Sequence, residues 1–139
     1  MSERGTQLYS PQLLELALRL AQWPWNESLP LYGQARSPVC GSQIHIGLET
    51  APDGAIARIA LRTQTCVVGQ AACAIFAEAA AGCSVDDLRQ ALADIEDWLA
   101  GHSPLPDWPG MSPLIPAQGY PGRHGAIMLP WRAALAALQ

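Results

Sequence analysis

The triplet Pro52-Asp53-Gly54 limits what this chain can fold into more than any other feature. Proline pre-sets φ for a turn, aspartate bonds its own backbone, and glycine accepts a positive φ. On its N-terminal side, Ile44, Ile46 and Leu48 alternate with Gln43, His45 and Glu49, the period of a half-buried strand. His45 falls on the polar face and reads as a surface histidine. On the other side, residues 56–63 form a second strand with Ala57, Ile59 and Leu61 inward and Arg58 and Arg62 outward. Antiparallel pairing across the turn brings the outer ends of the strands together. Cys40, just before the first, and Cys66, just after the second, then lie at the same end of one hairpin, within reach of a shared ligand.

The elements around the hairpin follow from local signals. Ser10-Pro11 starts a helix, serine as N-cap and proline at the first position, and Leu13, Leu16, Ala17 and Leu20 carry it to about Ala21. Trp23-Pro24-Trp25 ends it, with both tryptophans expected against the domain. Residues 33–37 form a short edge strand leading into Pro38. From Cys66 to Ala81 the composition is that of an alanine-rich helix, with Ile75 and Phe76 as its larger core contacts. Cys73 shares a face with Cys66 and is read as a small buried residue. Gly82 breaks this helix, and Ser84-Val85-Asp86-Asp87 is a capping box with aspartate in place of the usual glutamate. Leu88, Ala91, Leu92, Ile95, Trp98 and Leu99 give the next helix an apolar stripe. Prolines 104, 106, 109, 113, 116 and 121 rule out any long regular element in residues 101–122. So long a stretch is expected to pack over the surface or cover a site. A C-terminal helix follows Arg123. There is no internal repeat and no splitting linker, so residues 1–139 read as a single domain.

Composition excludes several function classes. Half the residues are hydrophobic, yet no apolar run approaches the roughly 18 residues that span a bilayer. The N-terminal Met1-Ser2-Glu3-Arg4-Gly5-Thr6-Gln7 lacks the basic and apolar regions of a signal peptide, so a soluble cytoplasmic protein is expected. The net charge of −4, with no arginine cluster, argues against a nucleic-acid partner. Cys40, Cys66, Cys73 and Cys83 contain no C-x-x-C pair and read as free thiols. No nucleophile and general-base pair emerges from the three histidines, so the chain is not expected to be an enzyme.

Pro38-x-Cys40-Gly41, the hairpin, Cys66 with Gln70-Ala71 at a helix mouth, and Arg123 followed by Leu129-x-Trp131 occur in a telling order. From about Tyr32 onward the chain resembles the iron–sulfur cluster assembly scaffolds of the IscU, SufU and NifU N-terminal type. The resemblance implies an α+β fold, a small antiparallel sheet with helices packed on one side. It also implies a site in which three cysteines and an aspartate or histidine hold Zn²⁺ or a nascent [2Fe–2S] cluster. One of those cysteines takes sulfur from a cysteine desulfurase. Cys40 matches the first cysteine and Cys66 the second. Ser42 stands at the aspartate position and Ala126 at the third cysteine. His124, near the same helix start, is the substitute donor, giving the metal set Cys40, Cys66 and His124. Two readings follow. In one, a divergent scaffold-like protein binds iron, zinc or a labile Fe–S cluster, with a cysteine desulfurase and Fe–S recipient proteins as partners. In the other, an interaction module keeps the fold without the chemistry and presents Trp23, Trp25 and Trp108 as contact surfaces.

Overall fold

The computed structural model describes residues 8–139, so the signal-peptide reading of residues 1–7 lies outside it. Strands β1 (Leu31–Arg36), β2 (Gln43–Thr50) and β3 (Ile56–Gln64) form one antiparallel sheet in the order β1-β2-β3. Among helices α1 (Pro11–Leu18), α2 (Val67–Ala80), α3 (Val85–Leu99) and α4 (His124–Leu138), α4 packs on the sheet, α2 and α3 pack on α4, and α1 packs on α2. The fold is α+β with a small antiparallel sheet, as the resemblance implies. No helix among the described residues is long and apolar enough to cross a membrane.

The hairpin forms across the expected turn, where the Ala55 N–H donates to Asp53 Oδ1 and the Gly54 N–H to the Ala51 carbonyl. Ile44, Ile46 and Leu48 are fully buried on one face. Their partners across β3 are Thr63, Leu61 and Ile59. One inward assignment is corrected: Ala57 is exposed. Glu49 pairs with Arg58 but Thr50 pairs with Ile56, so β3 carries one extra residue there. This bulge turns Ile56 inward and leaves Ala57 outside. Hydrophobic alternation alone cannot register such an insertion. β1 begins at Leu31, two residues earlier than expected, and α1 ends in a 3₁₀ turn over Arg19–Gln22.

The outer face of the sheet carries Trp25, whereas Trp23 packs against the core. The Leu61 N–H donates to the Trp23 carbonyl at 3.1 Å, so this segment pairs with the free edge of β3. Trp25 meets Tyr32 edge-on, with the Arg62 guanidinium 4.5 Å above its ring. His45 lies on the same face, bonded to the Tyr32 hydroxyl.

The inner face is covered by α4, which lies across β1 and β2. At Gly33 the helix comes so close that a Cβ would collide with the Ala133 carbonyl and the Ala137 N–H. Behind α4, Trp131 packs edge-on against Phe76 and Trp108, at 5.5 and 5.3 Å between ring centroids. Trp131 is fully buried and its indole N–H finds no hydrogen-bond partner among the described residues. Such an orphan donor costs about 1–3 kcal/mol. Burying a side chain of about 200 Å² contributes about 5 kcal/mol, so packing wins. Trp108 is tied down by its N–H to the Ile75 carbonyl at 3.0 Å. Residues 101–122 therefore do more than cover a surface: Met111, Leu114 and Ala117 are buried in the core. The capping box at α3 forms in both directions, Asp87 N–H to Ser84 Oγ and Ser84 N–H to Asp87 Oδ2.

The approach of α4 at Gly33 is testable. Gly33→Ala should lower stability by about 1–3 kcal/mol through overpacking, read as a lower urea midpoint by circular dichroism. An unchanged midpoint would mean that the helix does not lie this close.

Candidate functional site

The two thiols of the hairpin are positioned by different local devices. Between β1 and β2, the Ser37 N–H donates to the Ser42 carbonyl at 2.8 Å and the Gly41 N–H to the Ser37 carbonyl at 2.9 Å. Gly41 takes φ +71°, the left-handed region that this tight loop needs. The loop presents Cys40 half-buried and turns the Ser37 and Ser42 hydroxyls inside. On the other side, Cys66 is the N-cap of α2, at the positive end of its dipole. The Gln70 side-chain amide donates to the Thr65 carbonyl at 3.1 Å and holds that junction in place.

Strand register brings these pieces together. Gln43 pairs with Gln64, so Ser42 and Thr65 face each other just beyond the ladder. Cys40 Sγ lies 3.1 Å from Ser42 Oγ, Ser42 Oγ 2.8 Å from Thr65 Oγ1, and Thr65 Oγ1 4.0 Å from Cys66 Sγ. The result is a thiol–hydroxyl–hydroxyl–thiol row across the end of the sheet. Two helix starts close its inner side. A Cβ at Gly125 of α4 would strike Ser37 Oγ, and one at Gly69 of α2 would strike Thr65 Oγ1. Only glycine lets these hydroxyls sit so close to the helices.

Charge at the site comes from Arg123, the residue before α4. It donates to the Tyr9 hydroxyl at 3.2 Å. That bond and the attraction of Tyr9, then of Cys66 and more weakly of Cys40, raise its pKa above the ordinary arginine value. Burial opposes ionisation of Cys40, but hydrogen bonds from the Ser37 and Ser42 side chains and from nearby backbone outweigh it, and its pKa lies below the ordinary thiol value. With Cys40 ionised, Thr65 donates to Ser42 and Ser42 donates to the sulfur, a chain of donors ending on the anion. Cys73 is fully buried, and burial alone pushes its pKa far up. Burial, with the Asp87 carboxylate, also raises Cys83.

A cavity of about 410 Å³ opens elsewhere, between α1, α2 and residues 109–113. Its charged lining is already committed to the Arg19 pairs with Glu15 and Glu78, so the thiol row is the better candidate for chemistry.

The chain matches solved structures along almost its whole length. It superposes on the N-terminal part of a nitrogen-fixing NifU-like protein from Brucella abortus with a TM-score of 0.87 and 23% identity, covering 97% of this chain and 94% of that one. A protein from the thermophile Fervidobacterium islandicum AW-1, assigned as the iron–sulfur cluster assembly scaffold of the SUF system, gives 0.81 and 17%, covering 96% and 98%. This chain has the NifU/SufU scaffold fold. No family model matches the sequence, and no curated protein does.

On this scaffold fold the sequence-predicted residues divide. Cys40 and Cys66 are joined by the hydroxyl row. His124 has its Nε2 bonded to the Gln118 carbonyl at 2.8 Å. Among the described residues no three His, Cys, Asp or Glu side chains gather to hold a metal, so His124 does not form such a group with the two cysteines. Ser42 is bonded to Cys40 and Thr65, and Ala126 is fully buried with no donor atom. The residues present do not fit a closed four-ligand zinc or cluster site. Ser37, Thr65, Gly69 and Gly125 were not legible as site residues. The available signal was a hydroxyl residue beside or near each cysteine.

Thiol labelling across pH should separate the cysteines. Cys40 should keep reacting at pH values where an ordinary thiol has become slow, while folded protein protects Cys73. Ser42→Ala should move the Cys40 profile to higher pH. Profiles for Cys40 that match a free thiol, with or without Ser42, would contradict the donor chain.

Proposed function

We propose that this chain is a scaffold-like carrier in iron–sulfur cluster assembly. Cys40 accepts sulfur from a cysteine desulfurase, and Cys40 and Cys66 hold iron, zinc or a labile cluster as cargo for recipient proteins. The observation that carries this reading is the pairing of the two thiols through Ser42 and Thr65, beside Arg123, at one end of a scaffold fold. In the sulfur step, the Cys40 thiolate attacks the outer sulfur of the desulfurase persulfide. A new S–S bond forms on Cys40, the old one breaks, and the desulfurase cysteine leaves as thiolate, with no net oxidation. The hydroxyls of Ser37 and Ser42 and the Arg123 guanidinium supply fixed donors and charge for the anionic acceptor. Two thiolates make a more exchangeable metal site than four ligands do, which suits cargo in transit.

A low-molecular-weight persulfide donor tests the sulfur step. The parent should gain one sulfur per chain by mass, and Cys40→Ala should lose most of that gain. Equal uptake by Cys40→Ala and Cys66→Ala would sink the reading. One observation favours the alternative of an interaction module without this chemistry: no three-donor metal group forms among the described residues. That alternative expects a reduced, folded chain to take up neither sulfur nor metal.

The lost ligand positions offer a second test. Ser42→Asp with Ala126→Cys supplies a carboxylate and a third thiolate. The double variant should bind Zn²⁺ at least about tenfold tighter, equivalent to about 1.4 kcal/mol, in chelator competition. No gain in a protein that remains folded by circular dichroism would show that these positions do not converge on the thiols.

A further inference from the structure

We infer that the free edge of β1 is a docking site for an extended acidic segment of a partner protein, which adds to the sheet as a fourth strand. β1 is paired with β2 on one side alone. The Ser37 N–H bonds the Ser42 carbonyl, so the odd-numbered residues of β1 point their backbone groups at β2. Those of Tyr32, Gln34 and Arg36 therefore point outward, and no group among the described residues bonds them. The opposite edge, on β3, differs: there the Trp23 carbonyl already takes the Leu61 N–H. An open row of unpaired N–H and C=O groups is a template for another strand.

The side chains along this edge define the chemistry of the occupant. Tyr32, Gln34 and Arg36 share the solvated face and are exposed, Tyr32 by 52%. The Tyr32 ring is held edge-on by Trp25 and flanked by His45, at 5.8 Å between centroids, so it is presented already ordered. Of the described arginines, Arg36 alone has no ion pair, hydrogen bond or aromatic contact. An acidic side chain opposite Arg36 supplies the partner it lacks, and an aromatic one opposite Tyr32 covers the ring. Between them, residues opposite Ala35 and Gly33 turn to the inner face, beside the flank of α4, and are apolar. Antiparallel addition continues the pairing of the sheet. It sets the order acidic, apolar, polar, apolar, aromatic from the N- to the C-terminus of the segment.

The helix behind the sheet selects a lone strand over a second copy. α4 touches β1 at Gly33, backbone against backbone. An added strand lies about 4.8 Å farther out. Pairing two β1 edges would set two α4 helices over neighbouring strands, well inside the roughly 8–10 Å that packed helices need. A segment that carries no such helix meets no such barrier. Docked antiparallel, its N-terminal end lies at Arg36, where this chain enters the loop that holds Cys40. The partner's preceding residues are thereby led toward the thiol row, although the docking itself does not depend on sulfur chemistry.

The probe is a fluorescein-labelled peptide, Gly-Ser-Asp-Val-Thr-Val-Phe-Gly-Ser, titrated into the reduced full chain and read by fluorescence polarisation. Amide hydrogen exchange by NMR locates the contact. Saturable binding is expected, with slowed exchange at the Tyr32, Gln34 and Arg36 amides. Arg36→Glu should weaken binding about tenfold, and lysine in place of the peptide's aspartate should restore it for that variant. N-methylation of the peptide's threonine, whose N–H faces Gln34, should abolish binding. N-methylation of its first valine, whose N–H faces away from β1, should leave binding in place. No saturation with peptide at about 1 mM, or binding that leaves those three amides unchanged, would overturn the docking edge. Doubled mass of the peptide-free chain in sedimentation, with the same amides protected, would also overturn it and give the edge to a second copy. Neither readout uses persulfide or metal, so a failed docking leaves the carrier reading standing.

Discussion

The contact between α4 and the sheet is the constraint on which the rest of the structure depends. It closes the face formed by Ile44, Ile46 and Leu48, and it is close because Gly33 has no side chain to hold the helix away. Trp131 anchors the far side of the helix against Phe76 and Trp108. With its long axis fixed in this way, the helix start has little freedom. Arg123 and Gly125 are delivered to the end of the sheet where the β1–β2 loop and the β3–α2 junction already meet. The site is thus a consequence of core packing at the opposite end of the same helix.

What the packing delivers is then tuned by hydroxyls. An aspartate at position 42 would add a negative charge beside Cys40 and work against forming the thiolate. Serine keeps a hydrogen-bonding group there without that charge, and Thr65 supports it from across the sheet end. At pH 7 an unperturbed thiol near pKa 8.5 needs about 2 kcal/mol to ionise. Hydrogen bonds to an ionised partner are stronger than neutral ones, and those to Cys40 lower its pKa despite burial. A serine in place of a carboxylate at this position therefore favours the Cys40 thiolate.

Much of this was legible in the sequence where the cause is local. The Pro52-Asp53-Gly54 turn, the Ser10 and Ser84 caps, the break at Gly82 and the burial of Cys73 each rest on a few adjacent residues. The paired thiols were legible because strand register carries a local turn outward to both ends of a hairpin. The exposure of Ala57 was not, since a bulge changes register without changing hydrophobic pattern. Nor was the core role of Met111, Leu114 and Ala117, because proline-rich sequence reports missing helix and says little about burial. Gly33, Gly69 and Gly125 show the same limit. Each is explained by an atom distant in sequence or by one turn of helix, and none stands at a turn that would mark it.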